Sequence, residues 1–207
     1  MNEVAPIVFV VDDDDMFRRS TERLIRADGF NVQPFKAARD FLDNPRPQGP
    51  ACLVLDVRMP GLSGMDLQRE LTQAGIDIPI IFITGHGDIP MSVRAMKAGA
   101  TEFLTKPFKG RVLLDAVRAA VEKDRAALQA RLEIRSLRER HEHLTPRERE
   151  VMHWVAAGLL NKQVAGKLHT TEATIKFHRA HIMKKMGADS IADLIRMTEK
   201  LGASISA

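Results

Sequence analysis

The sequence has a single cysteine, Cys52, set inside an apolar run. That scarcity excludes a disulfide framework and every multi-cysteine zinc site, and it leaves Cys52 as a small buried hydrophobe. Long apolar stretches are also missing: runs such as Ile7–Val11 and Ile80–Ile83 fall far short of the roughly 18 residues needed to cross a bilayer. The amino-terminal end lacks a basic region, and its apolar run passes straight into Asp12, Asp13, Asp14 and Asp15, which no secretory signal tolerates. A cytoplasmic protein without a membrane partner is expected. Neither an excess of one charge nor a shortage of apolar residues marks the chain as disordered, since 44% of its residues are hydrophobic and 28% charged.

The 207 residues suffice for one large or two small domains. Net charge is +4 but unevenly spread. Residues 1–122 carry 15 basic and 17 acidic side chains, 123–143 carry 6 and 4, and 144–207 carry 10 and 6. A basic back end behind a mildly acidic front is the distribution expected if only the back end meets a polyanion.

Residues 1–110 alternate short apolar runs with amphipathic segments, the pattern of a parallel sheet wrapped by helices. Five strands are predicted, at Ile7–Val11, Asn31–Pro34, Cys52–Leu55, Pro79–Thr84 and Thr101–Leu104. Asp28-Gly29 and Ala98-Gly99 read as helix stops. From Arg111 to about Glu142 the chain has neither proline nor glycine and is rich in Ala, Leu, Glu and Arg, which predicts one long helix. Val117, Val121, Leu128 and Leu132 form a partial apolar stripe interrupted by Asp124, as in a helical linker that either pairs with a partner helix or stands solvated.

A second domain is predicted from Thr145-Pro146-Arg147-Glu148, a capping box with proline at the first helical position. That helix stops at Gly158. A short helix follows over Asn161–Leu168, then a turn, then a helix capped by Thr171 that runs to Met186 and ends at Gly187. Ser190 and Asp193 open a last helix to about Lys200. The expected fold is therefore a doubly wound α/β five-stranded parallel sheet (1–122), a helical linker (123–143) and a small all-α four-helix helix-turn-helix domain (144–207).

Ligands of an open parallel sheet bind beyond the carboxyl ends of its strands, where the strand order reverses. That rule selects Asp12 and Asp13 after the first strand, Asp56 after the third, Thr84 after the fourth and Lys106 after the fifth. Neighbouring carboxylates repel, and a hard divalent cation with oxygen ligands, best Mg2+, is the usual way to hold them together. One carboxylate could then attack a phosphoryl donor while cationic groups and the Thr84 hydroxyl receive the phosphoryl oxygens.

The stretches VVDDDD, LVLDVRMPGLSG, FITGHGD, MKAGATEFLTKPF and LTPREREVM resemble a bacterial two-component response regulator of the NarL/FixJ type across essentially the whole chain. The resemblance implies that Asp56 is the phosphoacceptor, that Asp13 binds Mg2+ directly and Asp12 through water, and that the Arg58 backbone carbonyl is a further ligand. It also implies that Lys106, before a cis Pro107, contacts the phosphoryl group. Thr84 and the Phe103 ring would be a switch pair, and the fourth helix and fifth strand a dimer face. Asp14 and Asp15 read instead as helix N-terminal charges, and His86 as a loop side chain.

In the second half, Ile175, His178, Ile182 and Met186 share one face of a helix at about 100° per residue, with His178 read as a packed core histidine. Ala173, Phe177, Ala180 and Lys184 lie opposite, flanked by Lys176 and His181. GLLNKQVAGKL and TTEATIKFHRAHIMKKMG resemble the LuxR-type DNA-binding domain. The resemblance places Lys176, Phe177 and Ala180 toward bases and Asn161, Lys162, Thr171 and Thr174 near the phosphate backbone. Lys184 and Lys185 are open to a solvated reading as well. Phe177 stands where relatives have a smaller aliphatic residue, and Ala180 where some have lysine.

The expected function is a phosphorylation-dependent transcriptional regulator rather than an enzyme, served by a cognate sensor histidine kinase. It would form a homodimer on phosphorylation and bind promoter DNA beside RNA polymerase. The receiver looks most like regulators of nitrogen fixation and of aromatic-compound catabolism. Two rivals remain at this point: a haloacid dehalogenase-like phosphohydrolase acting through Asp12, and a DNA-binding protein that works without phosphorylation.

Overall fold

The computed structural model describes residues 4–45, 47, 49–85 and 89–205, so His86 lies outside the described residues. Two compact units divide the chain, 1–128 and 129–207.

The first unit is a five-stranded parallel sheet of β1 (Ile7–Val11), β2 (Asn31–Phe35), β3 (Ala51–Asp56), β4 (Ile80–Thr84) and β5 (Glu102–Thr105), in the order β2-β1-β3-β4-β5. The helices between them are α1 (Asp15–Ala27), α2 (Ala38–Leu42), α3 (Gly64–Gln73) and α4 (Ile89–Lys97), with α5 (Gly110–Glu142) after β5. Every residue of β3 and β4 is buried, which is why these strands read as unbroken apolar runs rather than alternating ones. Successive side chains still face opposite ways. Phe9, Leu53, Leu55 and Phe82 join α2, α3 and α4 in one core, while Val8, Cys52, Val54 and Ile81 join α1 and α5 in the other.

The strand ends differ from expectation by a residue or two, for identifiable reasons. β2 continues through Pro34, tolerated because β2 is an edge strand. Pro79 precedes β4, yet its carbonyl still accepts from the Leu53 N–H at 2.9 Å. β3 includes Asp56, paired with Ile83, so this carboxylate is the strand's last residue and its backbone is fixed by the sheet. Gly29 and Gly99 take positive φ (+93° and +94°) where helix stops were expected.

α5 runs as one 33-residue helix, as its composition predicted. The expected apolar stripe divides: Val117 and Val121 are fully buried in the first unit, Leu137 belongs to the second unit's core, and Leu132 is 55% exposed. Asp124, read as a break in the stripe, accepts a hydrogen bond from the Ala51 N–H at 2.7 Å and so anchors the start of β3.

The second unit contains α6 (Pro146–Ala156), α7 (Asn161–Lys167), α8 (Glu172–Met186) and α9 (Ile191–Ile205). Thr145 and Glu148 form the predicted capping box on α6, and Thr171 and Gly187 cap α8. His169 adopts φ +49° in the turn between α7 and α8, the one described non-glycine residue with positive φ. α9 passes Lys200 and reaches Ile205. Val151, Val164, Ile175, Ile182, Met186 and Leu194 are buried in one core. His178 is only half-buried, at the rim of that core rather than inside it.

Candidate functional site

The strand order reverses between β1 and β3, and the carboxyl ends of these strands carry Asp12 and Asp56. Both are buried, at 4% and 6% exposure. Lys106, following β5, reaches between them: its Nζ lies 2.9 Å from Asp12 Oδ2 and 3.1 Å from Asp56 Oδ1. The structure thus joins three of the predicted site residues, which are up to 94 positions apart in the chain.

Each polar atom in this group has a defined partner. Asp12 Oδ1 accepts from the Asp14 N–H at 2.9 Å, and Asp56 Oδ2 accepts from the Arg58 N–H at 2.7 Å. Burial pushes the Asp56 carboxyl above its ordinary range; Lys106 opposes that shift and the Asp12 charge adds to it. Burial pulls the other way at Lys106, but its hydrogen bonds and proximity to the two carboxylates win and raise its pKa. One ammonium between two buried acids leaves a charge deficit, and half-buried Asp13 next to Asp12 deepens it.

Among the described residues no three acidic, histidine or cysteine side chains form a ready-made metal cage. The Lys106 ammonium occupies the position between Asp12 and Asp56. The donor set is nevertheless all oxygen and short of positive charge, which suits a hard cation such as Mg2+.

Thr84 ends β4, is 1% exposed, and its carbonyl accepts from the Lys106 N–H at 2.7 Å. Phe103 is half-buried on β5, its ring 6.2 Å from that of Phe82. Register pairs Phe82 with Phe103 and Thr84 with Thr105, so Thr84 and Phe103 sit on adjacent strands on the same side of the sheet. The Lys106-Pro107 peptide bond is cis. Asp14 is the N-cap of α1, accepting from the Met16 and Phe17 N–H groups, and Asp15 pairs with Arg18 in the first turn.

In the second unit, α7 and α8 are joined by the tight turn at His169. Lys176, Phe177, Ala180, His181 and Lys184 are all exposed on α8, opposite buried Ile175, Ile182 and Met186. Lys162 is exposed on α7. Asn161 is engaged within the protein, its amide oxygen accepting from Arg179 of α8. Thr171 accepts from the Thr174 N–H at 3.1 Å, and the two hydroxyls lie 2.8 Å apart. These two threonines therefore shape the start of α8. Lys185 turns inward to Glu148 at 2.7 Å, while Lys184 faces solvent.

Residues 8–118 match the response regulator receiver domain family, and residues 142–198 match the bacterial regulatory proteins of the luxR family. Nodulation protein W of Bradyrhizobium diazoefficiens is 57% identical over 198 residues, covering 96% of this chain and 87% of that protein. The chain belongs to the receiver–LuxR response regulators. Transcriptional regulatory protein FixJ of Azorhizobium caulinodans is 42% identical, with 95% of this chain and 93% of that protein covered. The solved structure of response regulator StyR superposes with a TM-score of 0.86 at 48% identity over 95% of this chain and all of that one. The protein is a DNA-binding transcriptional response regulator of a two-component system, and the phosphohydrolase reading is set aside. Among the described residues no helix is long and apolar enough to cross a membrane.

The receiver also uses residues that the sequence reading passed over. The Phe17 ring lies 3.6 Å below the Lys106 ammonium, and Arg18 Nη1 donates to the Asp12 carbonyl at 2.6 Å. Both lie in the first turn of α1, directly after the acidic run, a proximity in sequence that is the one signal pointing to them. Gly64 opens α3 against β3, where a Cβ would sit 2.2 Å from the Asp56 carbonyl oxygen. Only glycine lets the helix start that close to the acidic residue. In the LuxR-type domain, Glu148 was read as a capping residue alone, but it also holds Lys185 of α8.

Proposed function

We propose that Asp56 accepts a phosphoryl group from a partner histidine kinase and that this event controls DNA binding by the LuxR-type domain. The observation that carries the reading is Lys106 Nζ held between two buried carboxylates at the strand-order reversal, a cation already sited where phosphoryl charge would arrive. An Asp56 carboxylate oxygen attacks phosphorus, the new O–P bond forms as the N–P bond to the kinase histidine breaks, and the imidazole leaves with the bonding pair.

Lys106 moves its ammonium from the Asp56 carboxylate to a phosphoryl oxygen, and the Thr84 hydroxyl donates to another. The Phe103 ring turns into the space that Thr84 vacates, altering the surface of α4 and β5. Mg2+, held by Asp12, Asp13, Asp56 and the Arg58 carbonyl, would neutralise the phosphoryl oxygens as charge shifts.

The receiver spans 1–122, residues 123–143 are linker helix, and the DNA-binding domain occupies 144–207. Phosphorylated receivers pair, and the paired α8 helices enter successive major grooves. Lys176, Phe177 and Ala180 face bases. Lys162, Lys184 and His181 lie toward the phosphates, and Asn161, Thr171 and Thr174 lie near the DNA backbone at the start of α7 and of α8. Contact with RNA polymerase completes the output in the cytoplasm. The test combines intact-protein mass with light scattering, in Mg2+ with a small acyl-phosphate donor. Wild type gains one phosphoryl group and doubles its molar mass, and Asp56→Ala does neither. Phosphate on wild type without dimerisation would rule out the pairing step, and no phosphate on Asp56 would sink the reading.

A further inference from the structure

Phe177 is the one large hydrophobic side chain of α8 exposed among the described residues, at 59%. It stands between two exposed alanines, Ala173 four residues before it and Ala180 three after. Nothing bulky on those positions blocks a close approach of the ring to a groove. The ring also has an aromatic neighbour. His181, one turn on, packs against it with centroids 4.2 Å apart and planes tilted by 54°. Behind His181 stands Glu148 of α6, a carboxylate with 4% side-chain exposure. One of its oxygens, Oε2, is fixed by the Thr145 N–H at 2.8 Å and by Lys185 Nζ at 2.7 Å. The other, Oε1, lies 3.9 Å from His181 Nδ1. A line of contacts thus runs from a buried, capped carboxylate through an imidazole to an exposed phenyl ring.

Base edges in the major groove are donors and acceptors with one apolar exception, the C5-methyl of thymine. A phenyl ring has no polar atom to offer a donor or acceptor, and set against one it would strip water without replacing it. We propose that Phe177 reads the C5-methyl group of a thymine in the major groove, and that His181, backed by Glu148, is the positioning residue that holds the ring for this contact. The inference rests on α8 being the helix that enters the groove. A held ring suits recognition better than a mobile one, because the entropy of fixing it is already spent in the free protein.

The test starts from a duplex enriched by the full-length protein, treated with Mg2+ and an acyl-phosphate donor, out of a random-sequence pool. Each thymine of one half-site is then replaced in turn by deoxyuridine, which removes only the methyl. At one position the wild-type protein is expected to bind about fourfold more weakly, the effect of withdrawing one methyl-sized group from a contact. Phe177→Ala binds the thymine duplex more weakly and no longer distinguishes it from the uracil form. His181→Ala loses most of that discrimination while its far-UV circular dichroism and urea-unfolding midpoint stay close to those of wild type, which reports intact folding. Three outcomes overturn the proposal while leaving DNA reading by α8 in place: every uracil tolerated by wild type, Phe177→Ala still sensitive to the methyl, or His181→Ala with full discrimination. No enriched sequence at all would remove the DNA-reading premise and the proposal with it.

Discussion

Asp12 and Asp56 are carried to one edge of the sheet by strand order, and their burial there makes the negative charge costly. Lys106 compensates only part of it, and the raised pKa of Asp56 reports the remainder. Asp56→Asn is therefore expected to fold normally and to take up no phosphoryl group from an acyl-phosphate donor, as read by intact-protein mass. In the other domain Glu148 behaves in the opposite sense. Burial would raise its pKa, but Lys185 and the Thr145 N–H overcome that and lower it below the ordinary 4.5. A depressed acid contributes stability that is present above 4.5 and is lost as pH falls through the folded value. Glu148→Gln should cost the LuxR-type domain about 1–3 kcal/mol at neutral pH, with the gap to wild type narrowing below pH 4.5 in urea titrations. A gap independent of pH would show that the charge of Glu148 is not what matters.

The elements show how far a sequence reading goes. Continuous apolar runs place β1, β3 and β4 within a residue or so because strands buried on both faces leave little else to fit. Capping chemistry places α6 and α8 at Thr145 and Thr171 for the same kind of local reason. The site was readable as a set of strand-end residues, Asp12, Asp56, Thr84 and Lys106, because the topology rule needs only strand order. What escaped it depends on tertiary approach: Phe17 under Lys106, Arg18 on the Asp12 carbonyl, and Asn161 turned toward Arg179. Asp124 is the clearest case, since a charge on a helix reads as solvated until the start of β3 is found beside it. Asp124→Ala should lower the stability of the receiver by about 1 kcal/mol in urea unfolding and leave the LuxR-type domain unchanged. On α8, Lys184→Ala should weaken binding to all duplexes alike and reduce the salt-dependence slope by about 1. A sequence-dependent loss would instead put Lys184 among the base-reading residues.

At the scale of the whole molecule, charge and architecture agree. The mildly acidic receiver and the basic LuxR-type domain, net −2 over 1–122 and +4 over 144–207, divide signal input from DNA contact. One domain of about 60 residues binds DNA weakly at physiological salt, and joining two through phosphorylated receivers, as proposed above, would raise the local concentration of the second. On that proposal control lies in assembly rather than in a change of α8 itself. The most direct measurement is the affinity of the full-length protein for its selected operator, with Mg2+, before and after an acyl-phosphate donor, in wild type and in Asp56→Ala. The account predicts a gain of at least about tenfold in wild type, within the reach of bivalent binding, and none in the variant. An equal gain in Asp56→Ala, or tight specific binding by untreated wild type, would contradict it.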